Sequence, residues 1–178
     1  MLVSLHGKTR RLNLSMNNVK ILMIVDDDID DRFFFQWAVK EIDEGWECRE
    51  AVNGEDALEK LRTADQLPDF IFLDLNMQLM DGKEFMVELK KDERLKNIPV
   101  IIYSTSAYQK DMDAIKKLGA IYYLNKTSDI YSLSEKIIAA LKIADQNKFN
   151  VDMLLTVIFS SLKRSRPDER PPNGKEKE

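Results

Sequence analysis

The sequence predicts an α/β protein in which a doubly wound sheet of five parallel strands is covered by helices on both faces. Five short apolar runs alternate along the chain with segments whose apolar residues recur every three or four positions. Strands joined by helices run parallel, and a parallel sheet buries both of its faces, so its strands are apolar throughout. An apolar fraction of 44% and a charged fraction of 33% fit a globular protein with a substantial core.

The five predicted strands are short, and polar or charged residues follow each of them. The strands are predicted at residues 19–25, 46–52, 70–73, 99–103 and 121–124. Asp26 and Asp27 follow the first strand, and Asp74 follows the third. The groups that follow the fourth and fifth strands are Ser104, Thr105 and Lys126.

A predicted helix follows each strand. Asp30 and Asp31 open the first helix, where acidic side chains favour the positive end of the helix dipole. The apolar residues of this helix that recur at three and four positions are Phe33, Phe34, Trp37, Ala38 and Ile42. The other helices are predicted at about 55–62, 83–91, 108–118 and 132–144, and Gly119 is expected to end the fourth.

The carboxyl ends of parallel strands meet at one edge of the sheet, where such folds bind ligands. Clustered carboxylates repel one another unless a proton or a cation lies between them, and oxygen ligands suit Mg²⁺. The hydroxyls and the ammonium group then face an anion such as a phosphoryl group, which Asp74 is placed to accept. A single aspartate at a strand end is usually a cap or turn residue, so the inference depends on the whole set.

The polar residues at the strand ends belong to longer motifs, which are Val25-Asp26-Asp27-Asp28, the segment from Asp74 to Met80-Asp81-Gly82, Ser104-Thr105, and Lys126 after Gly119-Ala120. These motifs resemble the response-regulator receiver domain of two-component signalling. The resemblance covers residues 19–146 and implies a flavodoxin-like sheet with the strand order 2-1-3-4-5. It also implies that the chain is a phosphoryl acceptor that catalyses only its own phosphorylation and dephosphorylation. The implied donor is a histidine kinase or a histidine phosphotransfer protein.

The resemblance assigns roles to individual residues. Asp74 is the implied phosphoacceptor. Mg²⁺ is expected to bind Asp27, Asp74 and the backbone carbonyl of Asn76, with Asp26 acting through water. Lys126 is the ammonium partner of the phosphoryl group, Ser104 is the switch hydroxyl, and Tyr123 is the aromatic residue that moves inward on activation. Asn76 and Ser106 occupy the positions that tune the phosphoryl lifetime. The implied output surface is formed by the fourth helix, fifth strand and fifth helix.

Two positions depart from the family pattern. Gln78 and Thr127 stand where the family commonly has proline. The proline after the lysine usually follows a cis bond, and a cis bond without proline costs about 3 kcal/mol. We therefore expect the loop after Lys126 to differ from that of the family.

The ends of the chain are predicted to be extensions of the receiver domain. Residues 1–18 are basic and predicted to be disordered, residues 147–163 to form a helical extension, and residues 164–178 to be a disordered tail. The apolar run at 151–162 is too short to span a bilayer, and it is expected to form a helix that packs on a protein surface, either the chain's own receiver or a second copy in a homodimer. The chain beyond residue 146 is too short for an output domain, which favours a stand-alone regulator. A single cysteine and the lack of a secretory signal favour the cytoplasm.

Two other function classes are open on the residues alone. One is a Mg²⁺-dependent phosphatase of the haloacid-dehalogenase type, which also forms an aspartyl phosphate. Those enzymes favour a second aspartate two residues after the nucleophile, where this chain has Asn76. The other is a DNA-binding regulator that uses its basic ends, although no recognition-helix motif is present and the middle of the chain is acidic.

Overall fold

The computed structural model describes residues 21–105 and 109–144 and contains five strands and five helices in alternation. The strands are β1 (Ile21–Val25), β2 (Glu47–Ala51), β3 (Phe70–Leu73), β4 (Val100–Ser104) and β5 (Tyr122–Asn125). The helices are α1 (Ile29–Ile42), α2 (Gly54–Thr63), α3 (Gly82–Lys91), α4 (Gln109–Lys117) and α5, which covers residues 130–144. The predicted elements are confirmed with boundaries that shift by one or two residues.

The sheet has the order β2-β1-β3-β4-β5, and every pair of neighbours is parallel. This arrangement confirms the predicted fold class and strand order. The strands β2 and β3 lie on opposite sides of β1, so the strand order reverses there and a crevice opens at the carboxyl ends of β1 and β3. Val25 pairs with Leu73 at the end of these two strands, which places Asp26 and Asp74 side by side.

Each face of the sheet has its own hydrophobic core. Side chains alternate between the faces of a strand, so β3 sends Ile71 and Leu73 into one core and Phe70 and Phe72 into the other. The first core is covered by α2, α3 and Ile115 of α4, and the second by α1 and α5. Phe35 of α1 anchors the second core, with its ring centroid 4.6 Å from that of Phe72 and 5.7 Å from that of Tyr103.

The prediction of the apolar face of α1 is wrong in part. Ala38 is buried and Ile42 is half-buried, but Phe33 is 62% exposed and Trp37 is 47% exposed. The residues that α1 buries are Arg32, Phe35, Ala38 and Val39. The helix carries apolar residues on two faces, so their spacing identifies a helix without deciding which face meets the sheet.

The predicted extensions at 1–18, 147–163 and 164–178 lie outside the described residues, as does Ser106. Within the part of the chain that the structure describes, no helix combines the length and the apolar character needed to cross a membrane.

Candidate functional site

Asp74 lies at the centre of the site, directly after β3, and its side chain is buried. Its backbone N–H donates to Val25 O at 2.9 Å, which fixes the residue beside the end of β1. One carboxylate oxygen, Oδ1, accepts the Leu75 N–H at 2.7 Å, and the other, Oδ2, lies 3.1 Å from Lys126 Nζ. The carboxylate is therefore held by the backbone on one side and by a cation on the other.

Asp26, Asp27 and Asp74 form a cluster of acidic side chains. Each offers a carboxylate oxygen, and these oxygens all lie within 4.8 Å of one another. Asp26 is fully buried and Asp27 is exposed, so the cluster reaches from the interior to the surface. Burial raises the pKa of Asp26 from 3.8 to about 6, because the charged form loses solvation. Three close oxygen donors of this kind fit a hard divalent cation such as Mg²⁺.

Lys126 brings a positive charge into the same cluster. The backbone after β5 places it there, with the Lys126 N–H donating to Ser104 O at 3.2 Å. Its side chain is only 8% exposed, and Nζ lies 2.8 Å from Asp26 Oδ2, 2.7 Å from Asp31 Oδ2 and 3.1 Å from Asp74 Oδ2. Burial alone would lower the pKa of Lys126, but the adjacent carboxylates of Asp26 and Asp31 outweigh it and raise the pKa above its usual value. The lysine is therefore charged throughout the ordinary pH range.

Ser104 and Tyr123 are linked on the neighbouring strands β4 and β5. Ser104 is fully buried, and its Oγ has no hydrogen-bond partner among the described residues. The hydroxyl of Tyr123 donates to the backbone oxygen of Ser104 at 3.1 Å. An unsatisfied buried hydroxyl costs about 1–3 kcal/mol, so Ser104 would gain from a phosphoryl oxygen that came within reach.

The β3–α3 loop contains the first departure from the family pattern. The backbone N–H of Gln78 donates to Asp27 Oδ2 at 3.2 Å, a hydrogen bond that proline could not make because it lacks the N–H group. Gly82 ends this loop, and a Cβ there would collide with Asp74 O and lie 2.9 Å from Leu75 Cα. Asp81 is the N-cap of α3, and its side chain accepts the N–H groups of Lys83 and Glu84.

The second departure, Thr127, leaves Lys126 in the site. The described residues contain no cis peptide bond, so the Lys126–Thr127 bond is trans. Thr127 Oγ1 accepts the Asp129 N–H at 3.3 Å, which shapes the loop that leads into α5.

The match to a family model decides the family. Residues 22–138 match the model described as "Response regulator receiver domain". The chain is a member of the response regulator receiver family. Receiver domains are phosphoryl acceptors of two-component signalling and bind a divalent metal at an acidic pocket, with which the cluster of Asp26, Asp27 and Asp74 agrees.

Known proteins similar to this receiver include a curated relative and two solved structures. The relative is "Sensor histidine kinase CheAY" of Helicobacter pylori, with 32% identity over 106 residues, 60% of this chain and 13% of that protein. The phosphorylated cyanobacterial phytochrome response regulator RcpA has 30% identity and a TM-score of 0.60, covering 65% of this chain and 86% of that one. The Mn²⁺-bound form of response regulator Rcp1 has 29% identity and a TM-score of 0.58, covering 65% and 87%. The receiver spans less than half the length of several curated relatives that it matches.

The structure brings together most of the residues that the sequence indicates for the receiver site. Asp26, Asp74 and Lys126 are in direct contact, Asp27 adjoins them, and Ser104 lies one strand away from Asp74. Asn76 follows in the β3–α3 loop with an exposed side chain, and Ser106 is outside the described residues. From the sequence, Asp31 was expected only to favour the helix terminus, and its contact with Lys126 was not predicted. The position of Asp31 in the first turn of α1, close to Asp26 and Asp27, is the one signal that could have suggested it.

Proposed function

We propose that this receiver is a stand-alone response regulator in which Asp74 accepts a phosphoryl group in a Mg²⁺-dependent reaction. The observation that carries the proposal is the buried Asp74 carboxylate, 3.1 Å from the Lys126 ammonium and within 4.8 Å of carboxylate oxygens of Asp26 and Asp27. The donor is a histidine kinase or a histidine phosphotransfer protein, which the likeness to a sensor histidine kinase supports.

The transfer forms one bond and breaks another. A carboxylate oxygen of Asp74 attacks the phosphorus of the donor phosphohistidine, and the phosphorus–nitrogen bond breaks. The donor histidine leaves as neutral imidazole when its other ring nitrogen carries a proton. Lys126, whose charge is secured by the surrounding carboxylates, stabilises the negative charge that spreads over the phosphoryl oxygens.

Four residues would hold the metal. Asp27, Asp74 and the backbone carbonyl of Asn76 would bind it directly, and Asp26 would act through water. When bound, Mg²⁺ neutralises charge on the phosphoryl oxygens and on the acidic side chains. The Gln78 N–H bond to Asp27 orients a carboxylate that would otherwise be free in solvent.

Signal transmission begins at Ser104 in this proposal. Its buried hydroxyl bonds to a phosphoryl oxygen on Asp74, which the lack of another partner among the described residues supports. The backbone oxygen of Ser104 accepts the Tyr123 hydroxyl, so a shift of Ser104 changes the position of that ring. The two states then differ in contacts at the α4–β5–α5 surface, where a downstream protein binds. Asn76 and Ser106 set the phosphoryl lifetime.

The proposal also places the protein in the cytoplasm. Its one cysteine, Cys48, cannot form a disulfide within the chain, which suits a reducing compartment.

The experiment that tests the function is the intact mass of the full chain after incubation with phosphoramidate and Mg²⁺. The wild type is expected to gain one phosphoryl group, while Asp74→Asn gains none and the exposed control Asp65→Asn behaves like the wild type. Asp27→Ala should require more Mg²⁺ for the same labelling. Full labelling of Asp74→Asn would place the acceptor elsewhere.

Neither alternative has a specific observation in its favour among the described residues. In the phosphatase hypothesis, the residue two positions after Asp74 must protonate a leaving group. That residue is Asn76, which is exposed and carries no acidic proton. The DNA-binding reading depends on the basic ends of the chain, which are outside the described residues.

A further inference from the structure

Asp31 is a fourth carboxylate at the mouth of the site, and none of the receiver motifs includes it. Its Oδ2 lies 2.7 Å from Lys126 Nζ, closer than the carboxylates of Asp26 and Asp74 at 2.8 and 3.1 Å. Asp31 belongs to the first turn of α1, whereas Lys126 follows β5 at the edge of the sheet. The contact therefore joins two elements that are far apart along the chain.

Asp31 differs from the other two carboxylates in what else it can bind. Asp26 and Asp74 belong to the cluster that could hold a cation, and Asp31 does not. A cation would draw Asp26 and Asp74 away from Lys126, and phosphorylation would convert the Asp74 carboxylate into an acyl phosphate. Of the three carboxylates that contact Lys126, Asp31 alone has no second task during the reaction.

The surroundings of Lys126 show why a dedicated partner matters. The Lys126 ammonium lies at the end of a flexible chain of four methylene groups, and the side chain is only 8% exposed. The Tyr103 ring, whose centroid lies 5.7 Å from Lys126 Nζ, closes the inner side of the site. Asp31, with 32% of its side chain exposed, closes the outer side. Without Asp31, the lysine side chain could turn outward to water and recover both its solvation and its rotamer freedom.

We propose that Asp31 is a positioning residue that holds the Lys126 ammonium within bonding distance of the Asp74 carboxylate before and during phosphoryl transfer. The inference rests on the proposed function and adds a residue to its machinery. Asp31 acts through Lys126 and does not itself contact the phosphoryl group. It holds from the α1 side a lysine that is followed by Thr127 instead of the family's proline.

The test compares Asp31→Asn with Asp30→Asn in the full chain. Both carboxylates lie in the first turn of α1, so both changes remove the same favourable charge from the helix terminus. Asp30 is exposed and is not among the carboxylates that contact Lys126. The rate of labelling by phosphoramidate is measured by intact mass at saturating Mg²⁺, after the Mg²⁺ Kd of each variant has been determined by calorimetry. We expect Asp31→Asn to slow labelling roughly ten- to a hundredfold, Asp30→Asn to leave it unchanged, and Asp31→Glu to restore part of it.

A second measurement needs neither metal nor phosphoryl donor. The ammonium group of Lys126, assigned in ¹⁵N spectra with the variant Lys126→Arg, should be protected from solvent exchange in the metal-free wild type and in Asp30→Asn. It should lose this protection in Asp31→Asn.

Each outcome bears on one of the two proposals. A labelled wild type with Asp31→Asn equally fast or faster overturns the positioning role, and so does an equal slowing of Asp31→Asn and Asp30→Asn. Retained protection of the ammonium in Asp31→Asn also overturns it. A wild type that is not labelled at all contradicts the proposed function instead.

Discussion

At the residue scale, the buried carboxylate of Asp26 makes stability depend on pH. Its pKa is raised by burial to about 6, above the ordinary 3.8 of the unfolded chain, although Lys126 opposes the shift. The stabilising contribution of the protonated group is therefore fully present below about pH 4 and is lost as the pH rises through about 6. In metal-free protein, we expect Asp26→Asn to increase the free energy of unfolding at pH 7 by about 1–3 kcal/mol and to change it little at pH 4. Urea denaturation at both values, with Asp30→Asn as the control, measures this. A less stable Asp26→Asn at pH 7 would mean that the ion pair with Lys126 outweighs the cost of burial.

Individual side chains at the site differ in whether their contacts can be predicted from the sequence. Asp26, Asp74 and Ser104 each end or follow a buried strand, so the backbone alone carries them to the edge of the sheet. The contacts of Asp31 and Gln78 could not be predicted in this way. The Asp31 contact depends on the path of the long lysine side chain, and that of Gln78 depends on the path of the β3–α3 loop.

At the scale of elements, α1 shows the limit of apolar spacing. The helix was predictable from its acidic first turn and its periodicity, and Asp28 caps it by accepting the N–H groups of Asp30 and Asp31. The buried face of α1 was not predictable, because Phe33, Phe34 and Phe35 are consecutive and point in three directions. Packing against Phe72 and Tyr103 selects Phe35 as the buried one.

Phe35 is buried and Phe33 is exposed on the same helix, so removing each ring should affect stability differently. Phe35→Ala should lower the free energy of unfolding by about 3–5 kcal/mol, because it removes a fully buried ring from the core. Phe33→Ala removes the same group from a side chain that is 62% exposed and should cost less than about 1 kcal/mol. Urea denaturation of both variants gives the comparison. Equal losses would mean that α1 presents a different face to the sheet.

At the scale of the whole molecule, the sheet positions the site, and helices cover a hydrophobic core on each of its faces. Within the described residues, the two cores extend to Ala144, and the family match ends at residue 138. The order β2-β1-β3-β4-β5 was predictable because the motif spacing implied the family. What the chain does beyond residue 144 stays a sequence prediction, because those residues lie outside the described structure.

The apolar segment at 151–162 gives the last prediction. Val151, Leu154, Leu155, Ile158 and Leu162 recur at helical spacing. Each such side chain left in water would lose about 1.5–3 kcal/mol of stabilisation from burial. An apolar patch of this size on a monomer usually marks an interaction site. If the segment packs against a second copy, truncation after Asn150 is expected to abolish self-association and to change the Tm of the dilute monomer by less than about 2 °C. Sedimentation over a range of concentrations and thermal unfolding of both chains measure the two effects. A marked loss of monomer stability would show instead that the segment completes the receiver's own core, and no change in either quantity would leave it without a packing role.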